Sequence, residues 1–155
     1  REIMSSYFSV YANKQGVSIC LDSVSTTPTR WFRQKFGTLT YDKDTEITTS
    51  IVLTWEHNLE GFIAGQEAQK QEYVKKLQEE KALLCSATTP AAADNIRAEM
   101  DGLEEMIEYY EDEAGFSEIW CARRILKMVE TLRTVMAENE FTDEENKVTF
   151  SYYAD

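Results

Sequence analysis

Cysteine, histidine, proline and basic side chains are all scarce in this 155-residue chain. The three cysteines, Cys20, Cys85 and Cys121, are an odd number, lie far apart and form no CxxC pair. That argues against a disulfide framework and against a structural zinc site. One histidine, His57, leaves no HExxH pair and no second imidazole for acid–base work. No GxSxG elbow or glycine-rich phosphate loop is present, so the sequence offers no catalytic, cofactor-binding or metal-ligating set. Sixteen Lys and Arg face 28 Asp and Glu, a net charge of −12. Such a balance disfavours direct contact with nucleic acid or anionic lipid, both of which select basic surfaces. No apolar run approaches the roughly 18 residues of a membrane-spanning helix. The chain opens Arg1-Glu2-Ile3-Met4-Ser5 without an apolar leader, and its unpaired cysteines suit a reducing compartment. The expected location is cytoplasmic, in its own cell or in an infected host.

What is present is enough for a core: 43% hydrophobic and 12% aromatic residues, in a length typical of one domain over 1–155. The first part, 1–56, reads as mostly β with one short helix. Segments 5–12 and 17–23 alternate apolar and polar residues, and Asn13-Lys14-Gln15-Gly16 between them supplies hairpin turn chemistry. In the second segment Val17, Ile19 and Leu21 form the apolar row. Thr27-Pro28 reads as a cap followed by a helix over about 28–36, stopped by Gly37. Leu39 and Tyr41 then suggest a short strand. Ile47, Thr49, Ile51, Leu53 and Trp55 alternate over 46–55 as the clearest strand of the chain.

From Asn58 the period changes from 2 to 3.6. One helix is expected to about Ser86, with Leu59, Phe62, Ile63, Tyr73, Val74, Leu77 and Leu84 on one side. Thr89-Pro90 starts a second, about 90–113, whose seam is Ile96, Met100, Leu103, Ile107 and Tyr110. The short link between them predicts an antiparallel hairpin. Ser117 caps a third helix over about 118–138, apolar over half its circumference and therefore the core helix against the sheet. Val148, Phe150 and Tyr152 alternate in a final strand over 147–153. The order is α+β: an antiparallel or mixed sheet of about five strands (ββαββ…β) packed on three helices, residues 57–138 holding the helical part.

The acidity is localised. Residues 1–60 carry a net charge of −1 and residues 61–155 a net charge of −11. Segment 99–113 has eight acids and no base. Opposite the seam of the second helix, Asp101, Glu104, Glu105, Glu108, Glu111 and Asp112 fall within about a 120° arc. That is about one charge per 3 Å of helix axis, close to the ~3.4 Å phosphate spacing along one DNA strand. Like charges at i, i+4, such as Glu104 and Glu108, cost a few tenths of a kcal/mol each and are not relieved by a lysine. A solubilising face accounts for such a run in many proteins. A second acidic cluster, Glu138, Glu140, Asp143, Glu144 and Glu145, follows the third helix.

On the third helix, Trp120 stands among Arg123, Arg124 and Lys127, the composition of an interface anchor. A cover from the hairpin, with the cations paired to its acids, explains the same stripe. Arg30, Trp31, Arg33 and Lys35 make a basic-aromatic cluster, with Trp31, Phe32 and Phe36 read as a plug for one end of the core. His57 reads as a surface or capping residue, and Gly61 and Gly65 have GxxxG spacing that in a soluble helix marks close packing.

The function expected from these residues is a non-enzymatic, acidic protein–protein interaction module. Its partner would be a basic, nucleic-acid-binding protein, met through Asp101, Glu104, Glu105, Glu108, Glu111 and Asp112, with Trp120 and Arg124 beside them. Small acidic proteins that inhibit nucleases or defence complexes for a virus work this way, and by that analogy alone an inhibitor role is expected. Two alternatives stand beside it. One is a homo-oligomeric assembly subunit using the helical hairpin, and the other is a small-ligand binder or enzyme with a pocket between sheet and third helix.

Overall fold

The computed structural model describes all residues except 1–5, 38, 112–114, 116 and 141. Two strands open the fold, β1 (Phe8–Lys14) and β2 (Val17–Val24). Gln15 and Gly16 between them both have positive φ, 49° and 79°, the twist of a two-residue hairpin turn. Gly16 takes that conformation without the Cβ penalty. Four helices, a two-residue strand and a last strand follow: α1 (Thr26–Phe36), β3 (Thr45–Glu46), α2 (Thr49–Cys85), α3 (Pro90–Tyr110), α4 (Glu118–Glu138) and β4 (Thr149–Ala154). The class is α+β, and the sheet is antiparallel with order β2-β1-β4-β3.

The final strand returns to pair with β1, as its backbone requires, and buries Phe150, Tyr152 and Ala154 on the helix side. Its other face, with β1 and β2, is a polar row that includes a Ser9–Ser23 hydroxyl pair at 2.7 Å and Asn13 donating to Ser151 at 2.9 Å. Against the inner face lie α1, the start of α2 and α4. Phe8, Val10, Val24, Phe32, Leu59, Ile125, Met128, Val129 and Leu132 are sealed between them. Phe8 is the hub, with the rings of Phe32, Trp55 and Tyr152 5.4–5.8 Å away. Trp31 and Phe36 close one end of this core against Phe62, with Trp31 and Phe62 centroids 5.0 Å apart.

The sheet has four strands rather than about five, and the difference lies in two segments, 39–41 and 46–55. Residues 49–55, expected to be the clearest strand, form the first two turns of α2. Thr48, not Asn58, is the N-cap, its hydroxyl accepting from the Ile51 amide at 3.3 Å. Val52, Trp55 and Leu59 face the core and Leu53 faces out. The spacing 52, 55, 59, 62/63 continues the helical seam, and it wins over the alternation because it places Trp55 against Phe8 and Tyr152. Residues 39–41 form no strand and lie outside the ladder. Leu39 is buried, and the Thr40 amide donates to the Tyr152 hydroxyl at 3.0 Å.

Smaller corrections concern ends. α1 begins two residues earlier than its proline signal, with Ser25 rather than Thr27 at the cap position, and β4 ends one residue later. α3 ends at Tyr110 rather than near 113. The caps Thr89 and Ser117 hold as expected, each accepting from an amide three residues on, Ala92 and Trp120, at 3.2 Å. In β2 the register slips between Val10 and Tyr11, which pair with Asp22 and Cys20 and leave Leu21 as a bulge. The bulge turns Ile19 and Val17 to the helix side, opposite Ala12 and Lys14, but at the hairpin tip they stay uncovered. Val17 and Ile19 are each 62% exposed.

Candidate partner-binding site

The sequence gives α2 37 residues, about 55 Å of helix. Only its first half has a body to lie on. There it runs antiparallel to α4, tied by Arg133 to Glu56 at one end and Arg123 to Glu67 at the other. Beyond Glu67 it passes the start of α4 and packs on α3. Tyr73 and Tyr110 stack with centroids 6.0 Å apart, and Lys70 pairs with Glu111 at 3.1 Å. None of the residues from 60 to 109 is buried. The seam Val74, Leu77, Leu84, Ile96, Met100, Leu103 and Ile107 is half-covered throughout. The chain exposes 9974 Å², against about 8,000 Å² for a compact monomer of this mass. The hairpin is an arm.

At about 100° per residue, α3 presents three faces. One is the seam against α2. The second carries Asp101, Glu104, Glu105, Glu108 and Glu111, all exposed. Two described bases reach this face: Arg97, one turn before Asp101 and paired with Asp94 at 3.3 Å, and Lys70, paired with Glu111 at the root of the arm. Asp112 lies outside the described residues. The third face, within about 80°, holds Ala91, Asn95, Ala98, Gly102, Met106 and Tyr109 and no charge. Met106 and Tyr109 are 40% and 43% exposed. That flank was not singled out from the sequence. Its only signal there is the absence of charge at six positions of one α3 stripe.

Trp120 and Arg124 are not brought onto the acidic face. Trp120 is half-buried with its ring over Gly115, where a Cβ would come within 3.3 Å of the indole. Gly115 has φ +90°, so the close approach and the backbone both call for glycine. Arg124 is engaged inside the chain. It grips Asp22 of β2 through two bonds of 2.8 and 2.9 Å and donates to the Ser23 carbonyl at 3.2 Å. The second acidic cluster lies at the far end of α4. There Asp143 caps a short turn, and Gln15 of the β-hairpin donates to the Glu145 carbonyl at 3.2 Å. The two clusters are separated by the ~30 Å length of α4 and do not merge.

The Asp22–Arg124 pair gives a pH prediction. The hydrogen-bonded Arg124 guanidinium holds the Asp22 carboxyl below its ordinary 3.8, against the opposing effect of desolvation. A carboxyl more acidic when folded contributes stability that is complete above the unfolded pKa and lost as pH falls through the folded one. In Asp22→Asn the acid loss of stability between about pH 5 and pH 2 is expected to be shallower than in wild type. Urea midpoints across that range measure it. Parallel curves would remove this pair from the acid transition.

The remaining candidates are spread out. His57 is exposed on the outside of α2, and Cys85 is exposed at its last residue. The space between the sheet and α4 is filled by Ile125, Met128, Val129 and Leu132. Surface grooves lie elsewhere: about 410 Å³ at the β-hairpin tip, about 350 Å³ between the starts of α1 and α4, and about 420 Å³ beside Glu56 and Arg133. No group of three or more metal-capable side chains occurs among the described residues. No helix among them is long and apolar enough to cross a membrane. No protein-family model, curated protein or solved structure matches this chain. The fold and the arm define a class on their own terms, an α+β body carrying a projecting acidic helical hairpin.

Proposed function

We propose that the chain is a non-enzymatic binding module whose arm delivers the acidic face of α3 into the basic groove of a partner protein, one that handles nucleic acid. The single observation behind this reading is the run Asp101, Glu104, Glu105 and Glu108, exposed and without an ion pair among the described residues, on an arm that the body does not need for its core. Carboxylates spaced about 3 Å along a helix axis can occupy the positions of successive phosphates. A field of this sign speeds encounter with a basic groove and repels nucleic acid itself. Occupying such a groove blocks it, so the reading includes inhibition of the partner. Trp120 and Arg124 contribute only through the body, by shaping the end from which the arm leaves.

The experiment is capture on the immobilised protein from lysate of the source cell or its host, eluted first with salt and then with duplex DNA. The expected result is a basic nucleic-acid-binding protein released by either. A captured protein indifferent to both salt and DNA would sink the phosphate-like reading.

The uncharged flank of α3 with Met106 and Tyr109 favours a second reading, a hairpin that packs on another hairpin as a four-helix bundle. Met106→Glu then abolishes self-association while leaving capture of the basic partner intact.

A further inference from the structure

We infer that the groove at the β-hairpin tip docks a partner segment in which a large apolar side chain is flanked by lysine or arginine. The contact is independent of the arm, whose acidic face leaves from the other end of α4. The groove, about 410 Å³, lies where the hairpin meets the end of α4 and the approach to β4. Ala12, Val17, Ile19 and Val148 give it an apolar floor, and Lys14 and Asn139 complete its lining. Val17 and Ile19 are each 62% exposed, more than any other large hydrophobic side chain among the described residues. Beyond the tip, the Leu21 bulge and the Asp22–Arg124 pair blunt the β2 edge against a further strand. Side chains, not backbone bonds, therefore make the contact.

Charge says what fills the groove. Asn139 and Val148 bracket a segment that, with Glu138, carries Glu138, Glu140, Asp143, Glu144 and Glu145. Gln15 of the hairpin ties this segment to the tip by donating to the Glu145 carbonyl at 3.2 Å. All five acids are exposed, and none forms an ion pair among the described residues. Set against Lys14 and Lys147, they leave this rim with a net charge of −3.

The end of α4 adds to the same sign. A helix C-terminus carries a partial negative charge, which favours bases and disfavours acids. α4 has no base in its last turn and ends on Glu138. Asp143 has a local task as the cap of the short turn, but Glu138 stands where helix stability alone would place a lysine. A second copy would bring the same acids to this rim, and nucleic acid or anionic lipid would bring more negative charge. A cationic segment with an apolar anchor suits both the floor and the rim.

The test uses two hexapeptides, each with two lysines at either end, one with central leucines and one with central serines. Amide shifts of the isotope-labelled full chain are followed by NMR up to millimolar peptide. The leucine peptide is expected to shift Val17, Ile19, Asn139 and Val148, and to bind about tenfold more tightly than the serine peptide. Ile19→Ser, and Glu138→Lys with Glu140→Lys, are each expected to weaken it by about tenfold. Both variants keep the fold, since Ile19 is exposed and lysines suit the end of α4, and far-UV circular dichroism checks this. The protein reversed to lysine at Glu104, Glu105 and Glu108 is expected to keep the shifts at the hairpin tip, whatever becomes of the arm's own binding. Shifts that are absent at millimolar peptide, or confined to α3, overturn the inference. So does equal binding of the two peptides, or full affinity in either groove variant.

Discussion

Phe8→Ala is expected to cost about 4 kcal/mol and to lower Tm by about 8–16 °C, the largest single-residue effect on the fold. Phe8 has no exposed surface and touches rings from α1, α2 and β4. Removing it opens a cavity where every layer of the body meets, and the lost contacts between edge-to-face rings add to the lost burial. Total stability of a domain this size is about 5–15 kcal/mol, so the variant remains folded only with a narrow margin. Tyr7→Ala, one residue away and pointing to the opposite, wetter side, is expected within about 0.5 kcal/mol of wild type. Thermal and urea denaturation of the pair measures both. A Phe8 effect under about 1 kcal/mol would mean that the body is not held together at this residue.

Much of the fold was legible because helix ends announce themselves locally. Thr89-Pro90 and Ser117 mark starts that the structure reproduces, since a hydroxyl three residues before an unpaired amide acts without any help from the rest of the chain. The hairpin turn Gln15-Gly16 is local in the same sense. The segment 47–55 was not legible, because its apolar residues satisfy both periods. Alternation reads Ile47, Ile51, Leu53 and Trp55 together, and helical spacing reads Val52, Trp55 and Leu59. Tertiary contact breaks the tie through Trp55. The bulge at Leu21 was hidden for a related reason. Register belongs to the pair of strands, and a one-residue slip decides which side chains are covered.

The candidate site was legible to the extent that charge periodicity is. The acidic arc of α3 follows from spacing alone, and its exposure in the structure adds the surface that spacing leaves open. What spacing missed was which charges are internally satisfied. Arg124 and Asp22 are 102 residues apart in sequence, and only the packing of α4 across β2 brings them together. Arg123 and Glu67 meet for the same reason, along the crossing of α2 and α4. The uncharged flank of α3 carries no sequence signal beyond its Ala, Gly and Asn, because only the packing leaves Met106 and Tyr109 uncovered beside them.

Reversing Glu104, Glu105 and Glu108 together to lysine is expected to weaken binding to a basic partner by roughly 100-fold. Each reversal exchanges an attraction for a repulsion worth about 1 kcal/mol, and about 3 kcal/mol corresponds to roughly that ratio. The fold is expected to respond in the opposite direction. Asp101 gains opposite charges at positions 104 and 105, and Glu111 gains one at 108, while like-sign neighbours remain only between the new lysines. At a few tenths of a kcal/mol per helical pair, the arm becomes slightly more stable. No buried residue is touched, so the body is unaffected. This opposition separates the two accounts of the acidic face. A solubilising face loses nothing by the change except solubility, and its thermal stability rises with no loss of partner. A binding face loses its partner while its stability holds or rises. Isothermal titration against the captured partner, with thermal denaturation of the same protein, reads both signs at once, and unchanged affinity in the reversed protein would reject the acidic face as the contact.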